Sequence, residues 1–512
     1  MMPKKYIFWL RIFLAIGLGL RLNNLHQRSL WIDEFFTFFN STGHGSDIKI
    51  LLDNLSRKEN PDLLRAKDFK KFLENDPARN LRDVNAGLIS NDTHPPFYFL
   101  VMHFWMEAFG DGVFAVRFFS LLLGLVCVFL AYKVTRYLFN VQAALFSGLF
   151  MSVCAFSVRF SQEARQYTLV MALGLLTWLF LLRLEKYNKI TDAIGFAFFS
   201  CLGIYTHYFF ALLIAGQFVY FTLTYRKNQF ILDKFYLGLL VALLLLFPLY
   251  LVITLKGYKF FLAEWIFGYP GVYDKIYNLI SGLNRYMAMA KGPFVGIFLL
   301  LYLILMALKN NLKNYPRQFG FCAIMFFVPL ASMFLVDLIQ KGAMLKQERF
   351  WVFPFLGIVP LAGLGLYQSF QRNRVFTYII ILFMLMASGL AGRLQFGPAP
   401  KDASLWINQE SAGRIPAVIA YNTRSVVFPQ SYYLKEDAYL IPVSRPEQLK
   451  AAIATLSRAA DTLFIVRYFH RTDTRLTDNY FMETGDIGFG FKLKDIFYKD
   501  DIKVAEYTKC AL

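Results

Sequence analysis

Asp33 and Glu34 are adjacent carboxylates set among aromatic residues in the stretch Ser29-Leu30-Trp31-Ile32-Asp33-Glu34-Phe35-Phe36-Thr37. They follow an apolar run, residues 6–20, which ends at Arg21. That run is long enough to take the chain across a bilayer. The pair therefore lies at a membrane–water boundary, where ionised groups are costly to hold and are kept for chemistry, ion binding or pairing. A carboxylate at that depth can take a proton from a hydroxyl within hydrogen-bond reach. Cations that could steady a developing negative charge are His94, Arg165, Lys346 and Arg349. Glu163, Tyr167, His207 and Glu348 are further polar candidates. Each has a structural alternative. Asp33 and Glu34 could cap an interfacial helix, His94 could be a turn residue, and His207 could be a hydrogen-bonded core histidine. Glu163 and Arg165 could pair only with each other, and Arg349 could snorkel to the interface.

The elements that position these residues must sit in a membrane. Of 512 residues, 57% are hydrophobic and 18% aromatic, more apolar surface than a soluble globular chain has to hide. A polytopic α-helical membrane protein is predicted. The formal charge of +19 would point to nucleic acid in a soluble chain. Here Lys and Arg cluster in short segments between apolar runs, where they set topology and meet anionic lipid, so membrane lipid and not nucleic acid is the expected partner. Cys127, Cys154, Cys201 and Cys322 lie in apolar runs, and with Cys510 they show no metal spacing. Lys4 and Lys5 before the first run resemble a signal peptide. Leu18-Gly19-Leu20-Arg21 offers no cleavage site, so an uncleaved helix with a cytoplasmic N-terminus is expected.

Further apolar runs fall at 114–132, 141–158, 167–182, 193–206, 209–224, 235–255, 294–308, 319–338, 350–370 and 376–390, giving about eleven transmembrane helices in all. Residues 40–94 are a polar insert in which 47–55 and 61–73 read as short amphipathic helices lying on the membrane surface. The helix after Pro95-Pro96, Phe97–Phe109, contains His103 and Glu107 and is short for a span. If it does not cross, Lys4/Lys5, Lys133/Arg136, Arg183/Lys186/Lys189, Arg226/Lys227, Lys309/Lys313/Arg317 and Arg372/Arg374 all fall on one side, as the positive-inside rule requires. The same choice puts Asp33, His94, Glu163, Arg165, His207, Glu348 and Arg349 at the outer face. It also leaves Lys256, Lys259, Lys291, Lys341 and Lys346 outside, where some could face a phosphate-bearing substrate. Two domains are predicted. Residues 1–392 form a transmembrane domain that includes the first outer loop, 23–111, with its juxtamembrane helices. Residues 393–512 form a small extracytoplasmic α/β domain. There Gly397-Pro398-Ala399-Pro400 reads as a linker, Ala417–Tyr421 and Thr462–Tyr468 as strands, and 446–459 as an amphipathic helix.

A first helix followed by Asp33-Glu34, then His94-Pro95-Pro96-Phe97-Tyr98, then Gly110-Asp111-Gly112-Val113-Phe114-Ala115-Val116-Arg117, resembles the bacterial branch of the dolichyl-phosphate-mannose protein mannosyltransferases, to which the aminoarabinose transferases of lipid A are related. Arg159-Phe160-Ser161-Gln162-Glu163-Ala164-Arg165-Gln166-Tyr167 and Tyr205-Thr206-His207-Tyr208 also look like that branch. The resemblance implies a GT-C fold in the bacterial inner membrane. It also implies inverting transfer of a sugar from a polyprenyl-phosphate carrier to a protein, lipid or glycan acceptor at the outer face. The position matching the family's catalytic aspartate is Asp33, with Glu34 beside it. His94, Glu163, Arg165, Tyr167, His207, Lys346 and Arg349 are then candidates for donor phosphate and substrate binding. Asp33 with His94 or Glu163 could hold a divalent metal. The residues around the double proline differ from both named relatives, so neither sugar nor acceptor carries over. A flippase of lipid-linked sugars would place ionisable groups within its spans and show paired repeats. An oligosaccharide ligase would lack the early Asp-Glu. The concentration of charge at one face favours the transferase.

Overall fold

The computed structural model describes residues 4–92, 94–255, 271–288, 294–339, 344–392, 400–411, 413–421, 423–468, 485–499 and 502–510. Lys256, Lys259, Lys291, Lys341 and most of the expected linker, 397–399, lie outside them. The chain divides into two compact units. One comprises Met1–Leu25, His94–Tyr98 and Arg117–Arg393, and the other His26–Thr93, Phe99–Val116 and Leu394–Leu512.

The first unit is helical, and its apolar runs fold as helices, one of them interrupted. Among the described residues seven helices are long and apolar enough to cross a membrane, from Val113–Leu138 to Arg374–Ala391. Phe97–Phe109, Val141–Val153, Ile190–Thr206 and Val295–Lys309 are apolar but shorter. This is a multi-pass membrane protein. The first helix, Lys4–Leu22, carries Lys4, Lys5, Arg11 and Arg21. Arg21 is held inside protein. Its guanidinium donates to the carbonyls of Gly17 (3.1 Å), Met151 (3.0 Å) and Ser152 (2.9 Å) and to the hydroxyls of Ser157 (2.8 Å) and Ser161 (3.0 Å). A cation in an apolar setting is tolerable when its donors are satisfied in this way. The run expected as one helix over 141–158 is broken. Cys154 is extended (φ −72°, ψ 124°), separating Val141–Val153 from Ala155–Phe160, and the break turns the next segment toward the end of the first helix.

The second unit is built on a seven-stranded sheet in the order β1-β3-β2-β4-β7-β6-β5. The strands are β1 (Leu64–Arg65), β2 (Ala417–Tyr421), β3 (Tyr439–Val443), β4 (Thr462–Tyr468), β5 (Asp486–Gly488), β6 (Phe491–Lys499) and β7 (Ile502–Lys509). β2 runs parallel to β3 and β4, and helices Thr423–Tyr433 and Pro446–Leu456 make the crossovers that parallel strands need. Buried Ile419, Ile441, Ile465, Leu449 and Ile453 form its core. β1 comes from the first outer loop and pairs antiparallel with β3, Leu64 opposite Leu440. The division therefore differs from the expected one. The first loop packs with the C-terminal region. The helices expected to lie on the membrane surface instead bury their apolar faces in this unit, through Ile48, Leu52, Leu55 and Phe69. Phe69 meets Phe428 at 5.9 Å.

Candidate functional site

Residues 161–166 form a buried turn between helices Ala155–Phe160 and Tyr167–Tyr187. A turn with no regular hydrogen bonds needs other partners once it is buried. Gln162 Nε2 donates to the carbonyls ending the first helix, Leu20 (3.2 Å), Arg21 (3.1 Å) and Asn23 (2.8 Å). Ser161 takes the Arg21 guanidinium, and the Arg165 N–H donates to the Glu163 carbonyl at 2.8 Å. The turn fixes three of the predicted residues. Glu163 pairs with Arg159, one helical turn back. Tyr167 is buried with its ring edge-on to Phe160. Arg165 places Nη2 3.4 Å from His94 Nε2.

His94 leads to His207, whose ring centroid is 5.8 Å away with the rings at 74°. His207 sits between helix Ile190–Thr206 and the turn Tyr208–Phe210. Its backbone is extended, and its Nδ1 accepts the Phe209 N–H at 3.2 Å. Phe350 and Phe353 close over the ring at 6.4 and 5.5 Å. Arg349, half-buried in the short helix Glu348–Trp351, acts on His207 electrostatically. Burial, and then the electrostatic influence of the neighbouring His94, Arg165 and Arg349, push the His207 pKa well below the ordinary 6.5. His94, Arg165, His207 and Arg349 are thus brought together. Lys346 is exposed, and its carbonyl accepts from Arg285 (3.2 Å), whose guanidinium also approaches Glu348 (3.6 Å).

Asp33 and Glu34 belong to the other unit, in the first turn of helix Ile32–Ser41. Asp33 is half-buried. Glu34 is fully buried, and its carboxylate accepts the Trp31 N–H at 3.3 Å, capping the helix. The apolar face of this helix is fixed from the C-terminal helix Thr423–Tyr433. Phe35 meets Tyr432 at 6.0 Å, Phe39 meets Phe428 at 5.9 Å, and the Leu30 N–H donates to the Tyr433 hydroxyl at 2.8 Å. The C-terminal region thus positions the Asp33 helix, and nothing in its sequence signals that role. Arg21, Arg159 and Gln162 are likewise structural partners that residue type alone does not single out.

Among the described residues no group of three or more His, Cys, Asp or Glu side chains is placed to hold a metal ion. Of the candidate ligands, Glu163 is engaged by Arg159 and the Nε2 of His94 by Arg165, so these side chains do not fit a shared metal as they stand. Two guanidiniums with two imidazoles present many donors, an arrangement suited to an oxyanion.

Residues 93–251 match the dolichyl-phosphate-mannose-protein mannosyltransferase family. No curated protein matches the chain by sequence. Among solved structures, the chain is similar to ArnT from Cupriavidus metallidurans in the apo state, with 15% identity, a TM-score of 0.56 and 98% of each chain covered. For the same protein bound to undecaprenyl phosphate, identity is 16% and the TM-score 0.55, covering 97% of this chain and 98% of that one. The oligosaccharyltransferase of Archaeoglobus fulgidus in the apo form is similar over 90% of this chain and 69% of that chain, at 11% identity and a TM-score of 0.50. Identities this low speak to fold, and the fold is GT-C.

Proposed function

We propose that this GT-C chain is an inverting glycosyltransferase. It moves a sugar from a polyprenyl-phosphate carrier to a protein, lipid A or glycan acceptor at the outer face of the bacterial inner membrane. The observation that supports this most is the gathering of Arg165 and Arg349 around His94 and His207. In the reaction an acceptor hydroxyl attacks the anomeric carbon and the bond from that carbon to the phosphate oxygen breaks. The carrier phosphate leaves with the bonding pair, going from a diester to a monoester and gaining negative charge. Fixed cations stabilise that charge most where it develops, and a guanidinium fork matches phosphate oxygens better than an ammonium does. The hydroxyl proton goes to a carboxylate. Asp33 is assigned that role because it matches the family's aspartate and because its helix is held rigidly on its apolar side. Glu34 supports it as the cap of that helix. The match of residues 93–251 to a mannosyltransferase family, and the likeness to a protein crystallised with undecaprenyl phosphate, point the same way.

The test uses purified full-length protein. The sugar and acceptor are first identified by mass spectrometry of glycans and lipid A with and without an intact gene. Asp33→Asn keeps shape but not basicity, so turnover should drop on the order of 10²–10⁴-fold while undecaprenyl phosphate still binds. Arg349→Lys should weaken carrier binding more than acceptor binding. Near-normal turnover by Asp33→Asn would remove Asp33 from the mechanism. Unchanged carrier affinity in Arg349→Lys would count against the phosphate site.

A further inference from the structure

A backbone N–H and a guanidinium can only donate, so each ring nitrogen that faces one must be an acceptor. The Phe209 N–H points at His207 Nδ1 (3.2 Å). A neutral His207 therefore carries its proton on Nε2. Arg165 Nη2 faces His94 Nε2 (3.4 Å), so His94 carries its own on Nδ1. The two rings, 5.8 Å apart, hold opposite tautomers. The His207 backbone is also committed. Its N–H donates to Gly203 and its carbonyl accepts from Phe210, both at 2.9 Å. Phe209, Phe350 and Phe353 pack around the imidazole. What remains is Nε2–H, which makes no hydrogen bond among the described residues, in a setting shaped by Arg165 and Arg349. A donor not used within the fold can take a further acceptor, and what complements it beside two guanidiniums is an oxygen carrying negative charge.

We infer that His207 is a positioning residue for the carrier phosphate. It acts as a neutral, directional Nε2–H donor to one phosphate oxygen, while Arg165 and Arg349 supply the charge. This rests on the phosphate reading above. The burial that holds His207 below the imidazole range keeps it neutral at working pH.

Two substitutions divide the ring between them. Gln places an amide N–H near the Nε2 position but leaves the Phe209 N–H without its acceptor. Asn keeps an acceptor near Nδ1 but has no donor at the far end. Undecaprenyl phosphate affinity should stay within about threefold of wild type in His207→Gln and fall about tenfold or more in His207→Asn, as loss of a hydrogen bond to a charged group requires. Thermal stability should rank the other way, Asn above Gln. A purely structural histidine would give the same ranking in both measurements. Rescue of affinity by His207→Lys but not by Gln would make the residue a cation and overturn the proposal. The tautomer is read separately from ¹⁵N shifts of histidine-labelled wild type. The chain has six histidines, and His207→Asn assigns the signal by its loss. A proton on Nδ1, or an imidazolium at neutral pH, overturns the proposal outright. If instead Arg165→Lys and Arg349→Lys leave carrier affinity untouched, the phosphate reading itself fails, and the donor role fails with it.

Discussion

His207 links a single ring to the stability of the fold. Its folded pKa lies well below 6.5 because of burial and the nearby cations, while in the unfolded chain it returns to about 6.5. Between those two values the unfolded chain binds more protons, so stability rises with pH there and levels off above about 6.5. Acidification below that point should therefore lower the melting temperature of the detergent-solubilised protein. His207→Asn cannot titrate and keeps the acceptor for Phe209, so it should flatten this part of the profile. An unchanged profile would mean that His207 does not carry the effect. Asp33 and Glu34 make the complementary point. They are adjacent and chemically alike, yet Glu34 is buried as a helix cap and Asp33 is only half-buried. The sequence marks the pair but does not separate the two, because the difference depends on which carboxylate turns back onto Trp31. Arg165, His207 and Arg349 are legible as polar residues at helix ends. Arg21 is not, because its partners are carbonyls and serine hydroxyls, which no residue pattern signals.

Helix Val272–Arg285 has two distinct sides. On one side it exposes Tyr273, Ile276, Tyr277 and Ile280, spaced as one face of a helix; such a face suits the membrane–water interface. On the other side it holds the segment 344–351 that bears Arg349. Lys275 Nζ donates to the Asp337 carbonyl (3.2 Å), and the Asp337 carboxylate takes the N–H groups of Met344 (2.6 Å) and Leu345 (3.0 Å). Arg285 reaches the Lys346 carbonyl, and the Tyr286 hydroxyl donates to the Trp351 carbonyl at 3.0 Å. Gly282 lies so close to Trp351 that a Cβ there would overlap the ring. Gly282→Ala should therefore displace Trp351 and the segment with it, at a cost of about 1–3 kcal/mol. Both a lower melting temperature and weaker undecaprenyl phosphate binding are expected. Lower stability with unchanged affinity would show that Arg349 does not depend on this helix. The 3.6-residue period of Tyr273, Ile276, Tyr277 and Ile280 is present in the sequence, but polar residues interrupt it and it makes no long apolar run. The pairing of β1 with β3 is a different case. β1 has two residues, and its partner strand lies in the C-terminal region, so no local pattern announces it. β2 and β4, with their apolar β-branched cores, are found where alternation and composition place them.

For the molecule as a whole, orientation is the property on which the proposed outward-facing transfer depends. The basic clusters at Lys133/Arg136, Arg183/Lys186/Lys189, Arg226/Lys227, Lys309/Lys313/Arg317 and Arg372/Arg374 all sit at or just beyond helix ends, half-buried or exposed. Cations in such positions hold the cytoplasmic side. They share the side of Lys4 and Lys5 only if the 13-residue helix Phe97–Phe109 does not cross, and at 1.5 Å per residue it is well short of a hydrocarbon core about 30 Å thick. Its His103 Nδ1–H donates to the Ser41 carbonyl at 2.8 Å and His103 Nε2 lies 3.4 Å from Glu107, which ties the helix into the unit formed with the first loop. The cysteines allow a direct test. Cys127, Cys154, Cys201 and Cys322 are buried and Cys510 is exposed, so the natural protein carries one reporter in its C-terminal unit. A membrane-impermeant maleimide added to right-side-out vesicles should label Cys510. In a Cys510→Ser background it should also label cysteines placed in 45–90, and it should leave cysteines at 136 and 227 unlabelled until the membrane is permeabilised. Labelling at 136 from outside would mean that Phe97–Phe109 crosses. Every later basic cluster would then change side, and Arg165, His207 and Arg349 would face the cytoplasm, where transfer from an outward-presented carrier could not take place.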